Sequence, residues 1–162
     1  MIVLYDTPSS RIQFSPITLT RPISHLKMGV GTIEDNWALQ TTLPVASLST
    51  SLLSAPLSAA PAYWCVDATV LPNATLITAI ADLRPGEMLE DELGIIAWCQ
   101  LAIPAFGQLP IWIEKSVSID RQRRITHLLD VVQQNIGFLK QSIELVTMHR
   151  VSKSISASNT II

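Results

Sequence analysis

Short apolar runs and helical patterns alternate along the chain, separated by turns rich in proline, glycine and serine. Residues 2–6 and Tyr63–Asp67 are apolar runs that end at polar turns, which is typical of buried strands. A further strand is expected at residues 44–48 and a short helix at residues 50–53. Since each of the two strong strands leads through a turn to a helical pattern, the order predicts an α/β domain.

Helix signals follow both strong strands. Residues 21–39 are predicted to be mostly helical, because Pro22 suits a first helical turn and Thr32 with Asp35 has the spacing of a capping box. Asn73 is predicted to cap a further helix. The apolar positions of that helix fall on one face and are Leu76, Ile77 and Ile80.

The second half of the chain predicts a hairpin, another strand and a long helix. Residues 88–89 and 93–99 are interpreted as two strands joined through an acidic turn, and residues 109–113 as a strand after a loop. The middle of the domain is therefore expected to hold a mixed sheet. Apolar residues at spacings of three and four predict a helix of about five turns whose stripe must face a partner surface. The stripe consists of Ile125, Leu128, Leu129, Val132, Ile136, Leu139 and Ile143.

The composition predicts a surface that is poor in charge. Charged residues make up 15% of the 162 residues, the formal net charge is −2, and the mean hydropathy is +0.36. This composition argues against generic nucleic-acid binding. It favours a surface that is partly covered by another domain or subunit.

The sequence does not predict a secreted or membrane protein. Met1 leads directly into an apolar strand without a basic leader segment, and prolines interrupt the uncharged stretch 36–66 before it reaches the roughly 20 apolar residues of a membrane-spanning helix. Cys65 and Cys99 lie in apolar runs without metal-ligand spacing, which predicts buried thiols in a reducing compartment. We therefore expect a cytoplasmic protein.

The densest group of candidate site residues follows the first strand. Arg11, Arg21 and Lys27 are three cations in a loop that leads into a helix. Such a place suits phosphate, because exposed backbone N–H groups and positive charge combine there. The spacing alone favours ordinary surface cations around a loop over a phosphate site.

This block resembles the opening of sugar-1-phosphate nucleotidyltransferases. Residues 15–22 read Ser-Pro-Ile-Thr-Leu-Thr-Arg-Pro, followed by Lys-Met-Gly at 27–29 and Thr-Ile at 32–33. The run is similar to the pattern PLTLTRPVAxLRVGxxTIxxKW of a bacterial family of sugar nucleotidyl transferases. The likeness continues through most of the chain, and its further segments are 70–76, 83–87, 135–147 and 158–162.

The resemblance implies a Rossmann-like, three-layer α/β domain of the nucleotide-diphospho-sugar transferase type, with a mixed sheet and a C-terminal long helix or helix pair. It places this domain at residues 1–150. Residues 151–162 would begin a linker to a left-handed β-helix of hexapeptide repeats, like that of bifunctional UDP-N-acetylglucosamine pyrophosphorylase/acetyltransferases, so that the chain is truncated.

The resemblance also implies partners. A nucleoside triphosphate and a sugar phosphate would be bound, without nucleic acid or membrane. The domain would form an oligomer or contact the β-helix domain.

Two positions around the first strand depart from the family's active pattern. The glycine-rich phosphate loop is replaced by Asp-Thr-Pro-Ser-Ser at 6–10, in which Pro8 lacks an N–H group. The lysine of the pattern is replaced by Ile23, which leaves Arg21 as the nearest cation.

A third departure concerns the metal. The metal-binding aspartate of the wider superfamily aligns with Thr69, and Asp67 lies two residues earlier, on the same face of an extended strand. Asp67 is equally well interpreted as a strand-end carboxylate that caps the following turn. With these positions the resemblance assigns Mg²⁺ to Asp67, catalysis to Arg21 and Lys27, and nucleotide binding to Arg11, Thr20 and Arg21.

Two further groups carry weaker signals. Three arginines begin the long helix, where the helix dipole disfavours cations, and they fit an anion partner, a solvated face or a contact with another domain. These are Arg121, Arg123 and Arg124. The four tryptophans are expected in the core, with a platform for stacking a nucleobase as the alternative. These are Trp37, Trp64, Trp98 and Trp112.

Three functional hypotheses from different classes follow. The first is an enzyme that transfers a nucleotidyl group from a nucleoside triphosphate to a sugar phosphate and releases pyrophosphate, by positioning and charge neutralisation with Mg²⁺. The second is a catalytically degenerate domain that binds a nucleotide sugar or a partner and positions a β-helix region. The third is a plain interaction domain.

Overall fold

The apolar runs of the sequence form the strands of one main sheet. The structure is a computed structural model that describes residues 1–50, 52–53, 55–110 and 112–148. The strands are β1 (Ile2–Tyr5), β2 (Lys27–Met28), β3 (Gly31–Thr32), β4 (Val45–Leu48), β5 (Tyr63–Asp67), β6 (Glu87–Asp91), β7 (Gly94–Gln100) and β8 (Lys115–Ser118). The α-helices are α1 (Pro8–Gln13), α2 (Ile33–Gln40), α3 (Ala74–Ala81) and α4 (Leu128–Thr147), and short 3-10 turns lie at Ile17–Leu19 and Ile23–His25.

The main sheet is mixed and has the order β4-β1-β5-β7-β6-β8. β1 is parallel to both neighbours, so Ile2 pairs with Val45 on one side and with Trp64 on the other. β7 runs antiparallel to β5 and β6, and β8 runs parallel to β6. The predicted α/β class with a mixed sheet is confirmed. The chain leaves β1, β4 and β5 at the same edge of the sheet, which is where α/β domains commonly bind ligands.

The two faces of the sheet are covered differently. One face packs against the helices, which contribute Trp37, Leu76 and Phe138 to a single buried cluster. The other face buries a smaller cluster around Tyr5, and residues of connecting segments such as Phe106 pack over it. The rings of Tyr5 and Phe106 lie 6.3 Å apart.

Two predicted helix caps are present. Thr32 Oγ1 accepts a hydrogen bond from the Asp35 N–H at 3.0 Å, and Asp35 Oδ2 accepts one from the Thr32 N–H at 2.7 Å, which completes the capping box of α2. Asn73 Oδ1 accepts from the Leu76 N–H at 2.9 Å and begins α3. Each cap supplies an acceptor for an N–H group that has no partner within its helix.

The predicted hairpin at residues 88–99 is confirmed, with a longer first strand than the sequence suggested and a second strand shifted by one residue. β6 and β7 pair antiparallel from Met88 opposite Trp98 to Asp91 opposite Gly94. The register shifts between Leu89 and Glu90.

The prediction of a mostly helical segment at residues 21–39 is wrong for its first part. Residues 27–32 form the antiparallel hairpin β2–β3, and the chain reverses at Gly29, which has a φ of 70°. The Gly29 N–H donates to Asn135 Oδ1 at 2.7 Å, so α4 holds this turn in place. A contact between residues so distant along the chain overrides the local helical pattern.

Two other local predictions are wrong among the described residues. Residues 109–110 and 112–113 form no strand, because Pro110 lacks the N–H group that a ladder needs. The last strand is instead β8, which begins where Lys115 pairs with Glu87 of β6. In place of the predicted helix at 50–53, a turn is closed by a hydrogen bond from the Leu53 N–H to the Thr50 carbonyl at 2.9 Å.

The tryptophans are only partly in the core. Trp37 and Trp98 are buried, and Trp64 is half-buried. The prediction is wrong for Trp112, which exposes 73% of its surface.

The predicted thiols are confirmed as buried. Cys65 and Cys99 lie on neighbouring strands of the sheet. Burial raises the pKa of the Cys65 thiol to about 12, which makes it a poor nucleophile.

The predicted long helix is confirmed as α4, but much of the predicted apolar stripe faces away from the core. Phe138 and Ser142 are buried, and Leu128 and Val131 are partly buried against the helical face of the sheet. The exposed residues of the stripe are Leu129, Val132, Ile136, Leu139 and Ile143.

Within the described ranges, no helix has the length and hydropathy needed to cross a membrane. The domain boundary at residue 150 stays a prediction. The predicted linker at 151–162 lies outside the described residues.

Candidate functional site

The first part of the site is a buried ion pair at the end of β1. Asp6 is fully buried, and its Oδ2 accepts from Arg11 Nη1 at 3.0 Å and from Ser49 Oγ at 2.6 Å. The Ile23 N–H donates to the same carboxylate at 3.2 Å. Burial raises the pKa of Asp6, although the hydrogen bonds from Ser49 and Arg11 act in the opposite direction. The carboxylate therefore joins α1, the end of β4 and the second 3-10 turn.

Arg11 is held largely inside the protein by this network. Its guanidinium also donates to the Thr18 carbonyl, and only 12% of its side chain is exposed. The exposed part lines a cavity of about 360 Å³ together with apolar side chains such as Ile12, Leu19 and Phe106. A phosphate that reached Arg11 would have to share donors that already have acceptors.

The backbone amides after β1 are also engaged within the protein. Pro8 has no N–H group. The Ser10 N–H donates to Thr7 Oγ1 at 3.1 Å, and the Arg11 N–H donates to the Thr7 carbonyl at 3.0 Å. These bonds close the first turn of α1, so this loop does not present a row of free amides like that of a glycine-rich phosphate loop.

A second, more polar cavity of about 480 Å³ lies between the 3-10 turns and the start of α2. Thr20 and Arg21 line it, together with His25, Thr32, Glu34 and Asp35. His25 Nε2 lies 3.2 Å from Glu34 Oε2. Arg21 is exposed and forms no ion pair with any residue that the structure describes. Its donors are therefore available to an anion.

Lys27 lies close to this second cavity. It pairs with Thr32 in the β2–β3 hairpin, and its side chain is exposed. Hydrogen bonds from Thr32 lower the pKa of Asp35, and the positive charge of Lys27 adds to this effect. The structure thus brings Thr20 and Arg21 together around one cavity. Lys27 lies opposite Thr32 of its lining, and Arg11 contributes to the neighbouring cavity.

Asp67 lies in a separate ionic cluster at the end of β5. Its Oδ1 accepts from the Thr69 N–H at 2.9 Å and from Thr69 Oγ1 at 2.8 Å, as expected for a carboxylate that caps the following turn. Its Oδ2 lies 3.2 Å from Arg124 Nη1, and Arg124 Nη2 donates to Asp91 Oδ1 at 2.8 Å. Burial raises the pKa of Asp67, while Thr69 and Arg124 act to lower it.

This arrangement does not fit a metal ion at Asp67. Both carboxylate oxygens already accept hydrogen bonds, and a cation bound there would lie beside the guanidinium of Arg124. Hard cations such as Mg²⁺ need several free oxygen ligands. Nowhere in the described part of the chain do three His, Cys, Asp or Glu side chains gather in a way that could hold a metal. The assignment of Mg²⁺ to Asp67 stays a prediction.

A family model described as sugar nucleotidyl transferase matches residues 2–151. The chain belongs to the sugar nucleotidyl transferase family. Comparisons with curated proteins and with solved structures gave no match. The family indicates a nucleotidyltransferase-like function with nucleotide and sugar-phosphate substrates. Both kinds of substrate are anions, and Arg21 is a cation that forms no ion pair with the described residues.

The arginines before α4 have structural partners in this family member. Arg124 is buried between Asp67 and Asp91, so the interpretation as a solvated face is wrong for it. Arg121 lies 3.1 Å from Glu92, and the guanidinium of Arg123 lies 5.0 Å from the ring centre of Phe138.

Sequence reasoning missed the two acidic partners of buried arginines, Asp6 and Asp91. Asp6 carried a usable signal, since it directly follows a buried strand and precedes Arg11 by five residues. Asp91 had a weaker one, because it lay within an acidic turn. Neither signal identifies which arginine is the partner.

Proposed function

We propose that this domain transfers a nucleotidyl group from a nucleoside triphosphate to a sugar 1-phosphate. A phosphate oxygen of the sugar 1-phosphate attacks the α-phosphorus of the triphosphate. The bond from the α-phosphorus to the bridging oxygen breaks, and pyrophosphate leaves. The observation that carries the proposal is the pairing of a sugar nucleotidyl transferase match over residues 2–151 with an exposed, unpaired Arg21 in a polar cavity.

The cations have distinct parts in this proposal. Arg21 binds the α-phosphate and neutralises charge that develops there during transfer, and Lys27 is a second cation on the adjoining β2–β3 hairpin. Thr20 contributes a hydroxyl, whose oxygen donates to the Ile17 carbonyl at 3.2 Å and can accept from a ligand. Arg11 contributes to nucleotide binding through its exposed edge in the adjacent cavity.

Mg²⁺ enters the proposal as a companion of the triphosphate. Magnesium in such sites usually keeps several waters and is bound mainly through substrate phosphates, where it neutralises their charge. Since the surroundings of Asp67 do not fit a metal, no step of the reaction is assigned to that carboxylate.

A second candidate function is binding of a nucleotide sugar without turnover, next to a β-helix region. Two observations favour it. The amides of Ser10 and Arg11 are engaged within α1, and the guanidinium of Arg11 is paired with Asp6. Both features withdraw phosphate-binding groups from the place where the family's pattern supplies them.

Isothermal titration with UTP, other nucleoside triphosphates and UDP-sugars, each with and without Mg²⁺, separates these functions when combined with a pyrophosphate-release assay. Binding together with release that requires a sugar 1-phosphate supports the enzyme. Binding of a nucleotide sugar without any release supports the second candidate. Absence of binding by a folded sample contradicts both.

The same titrations test the role of Asp67. If the metal arrives with the triphosphate, Asp67→Asn keeps the Mg²⁺ dependence of nucleotide binding. Loss of that dependence in a variant that still folds would instead establish Asp67 as a metal ligand.

A further inference from the structure

Helix α4 has a second apolar face that points away from the domain. Its inner face is already engaged: Phe138 is buried in the core, Asn135 accepts from the Gly29 N–H at 2.7 Å, and Ser142 Oγ donates to Asn36 Oδ1 at 2.8 Å. Six apolar residues on the outer face expose between 38% and 69% of their surface. We call them the outer stripe: Leu129, Val132, Ile136, Leu139, Ile143 and Val146.

The spacing of the outer stripe is that of a helix–helix seam. Its residues follow one another at intervals of 3, 4, 3, 4 and 3, which is a heptad pattern with Leu129, Ile136 and Ile143 at a and Val132, Leu139 and Val146 at d. A helix that only covers a globular core carries a wider stripe, which includes e or g positions. A repeat that averages 3.5 residues per turn keeps the same narrow apolar face turned towards a second helix along the whole length of the pair.

The residues that flank the outer stripe suit a second copy of the same helix. The e positions are Gln133, Lys140 and Thr147, and the g positions are Leu128, Asn135 and Ser142, of which Asn135 and Ser142 are engaged on the inner face. Only Lys140 among them is charged, so no row of like charges opposes an identical partner. No residue of the outer stripe belongs to the buried cluster of the described part of the chain.

We propose that two copies of the chain associate through their α4 helices, with the outer stripe of each forming one seam. The helix has 20 residues and is about 30 Å long, which accommodates three heptads. A two-fold contact uses the same patch on both copies, and the outer stripe is such a self-complementary patch. The seam buries on the order of 1,000 Å² in total, which is the lower limit for a specific interface.

The apparent mass of the whole chain in solution tests the proposal. Sedimentation equilibrium at micromolar concentrations should give twice the chain mass of 17.8 kDa. Ile136→Glu, at the centre of the outer stripe, should halve the apparent mass. The matched control is Leu101→Glu, because Leu101 is similarly exposed (63% against 68% for Ile136) but lies after β7, and this variant should keep the mass of the original chain.

A mixing experiment identifies the partner as a second copy. Ile136→Glu and Ile136→Lys should each be monomeric, and mixing them should restore the doubled mass because opposite charges then meet near the centre of the seam. A monomeric original chain would overturn the proposal, as would a doubled mass that persists in Ile136→Glu. Because Ile136 is exposed, an unchanged far-UV circular dichroism spectrum of the variants checks that the fold is intact.

Discussion

The guanidinium of Arg11 lies 3.0 Å from the carboxylate of Asp6, at the place where this family's pattern has a loop that cradles phosphate. Asp6 is fully buried and Arg11 nearly so, which makes the pair part of the architecture of the site. The exposed positive charges of this region are therefore those of Arg21 and Lys27, on the neighbouring segment. The relationship explains how the domain keeps the motif order of its family while one of its cations is turned inward.

Loss of the Asp6 carboxylate should be strongly destabilising. Asp6→Asn leaves the Arg11 guanidinium buried without its counter-charge, and removing one partner of a buried ion pair costs about 3–5 kcal/mol. Denaturant unfolding measures this as a lower free energy of unfolding. Asp82→Asn is the control, since Asp82 is exposed at the end of α3. Equal stability of the two variants would contradict the structural role of the pair.

Loss of the Arg21 side chain should weaken nucleotide binding without unfolding the domain. A hydrogen bond to a charged group contributes roughly 1.5–3 kcal/mol, so the Kd of Arg21→Ala should rise about 10- to 100-fold. The control is Arg84→Ala, which removes another exposed arginine, in the turn before β6. Titration of both variants with the same nucleotide is the measurement. The same Kd in both would show that Arg21 does not contact the ligand.

The arginine cluster before α4 contains one residue that is essential for stability and one that is not. Arg124→Gln leaves the carboxylates of Asp67 and Asp91 unpaired, and we expect it to lower the free energy of unfolding by about 3 kcal/mol or more. Arg121→Gln removes an exposed pair with Glu92 and should cost at most about 1 kcal/mol. Chemical denaturation measures the free energy of unfolding of both variants. A larger loss in Arg121→Gln than in Arg124→Gln would contradict the structural role of Arg124.

Alanine substitutions at two glycines distinguish the effect of steric crowding on stability from the effect of backbone strain. Gly29 and Gly107 both have positive φ, but only a Cβ at Gly29 meets neighbours, namely Ser142 Oγ at 2.5 Å and the Phe138 carbonyl at 2.9 Å. Gly29→Ala should therefore be less stable than Gly107→Ala by about 1–3 kcal/mol. Thermal unfolding compares them. Similar losses in both would mean that α4 does not pack closely on the hairpin.

Acid should destabilise the helix that borders the polar cavity. Hydrogen bonds from the Thr32 N–H and hydroxyl lower the pKa of Asp35 below its usual 3.8. A carboxylate whose pKa is lowered by folding stabilises the fold above its unfolded pKa, and this contribution is lost as the pH falls through the folded pKa.

The melting temperature should therefore fall between about pH 5 and pH 2, and Asp35→Asn should reduce that dependence. A slope unchanged by Asp35→Asn would show that the capping box makes no net contribution.

Local signals in the sequence predicted much of the fold, but few of the hydrogen bonds and ion pairs within the candidate site. The strands at β1 and β5 and the caps at Thr32 and Asn73 were predictable because apolar runs and cap spacing act over a few residues. The hairpin at Gly29 was not, since a hydrogen bond from its own N–H group to Asn135 of α4 fixes it. Patterns within a short window cannot contain such contacts.

In the candidate site, too, local features could be predicted from the sequence, whereas contacts between distant residues could not. The cations Arg21 and Lys27 could be chosen from motif order, and Arg21 lines the polar cavity while Lys27 lies opposite Thr32 at its border. The inward turn of Arg11 could not be predicted, because it depends on Ser49 from a strand that comes almost forty residues later. The partner of Asp67 was equally hidden, since Arg124 lies 57 residues away along the chain.

Pyrophosphate release tests the central claim most directly. The domain should release pyrophosphate from at least one nucleoside triphosphate only when a sugar 1-phosphate and Mg²⁺ are also present, and Arg21→Ala should lose this activity while Arg84→Ala keeps it. Absence of release with every combination of triphosphate and sugar 1-phosphate, from a folded sample that binds nucleotide, would contradict transfer and leave nucleotide-sugar binding as the function.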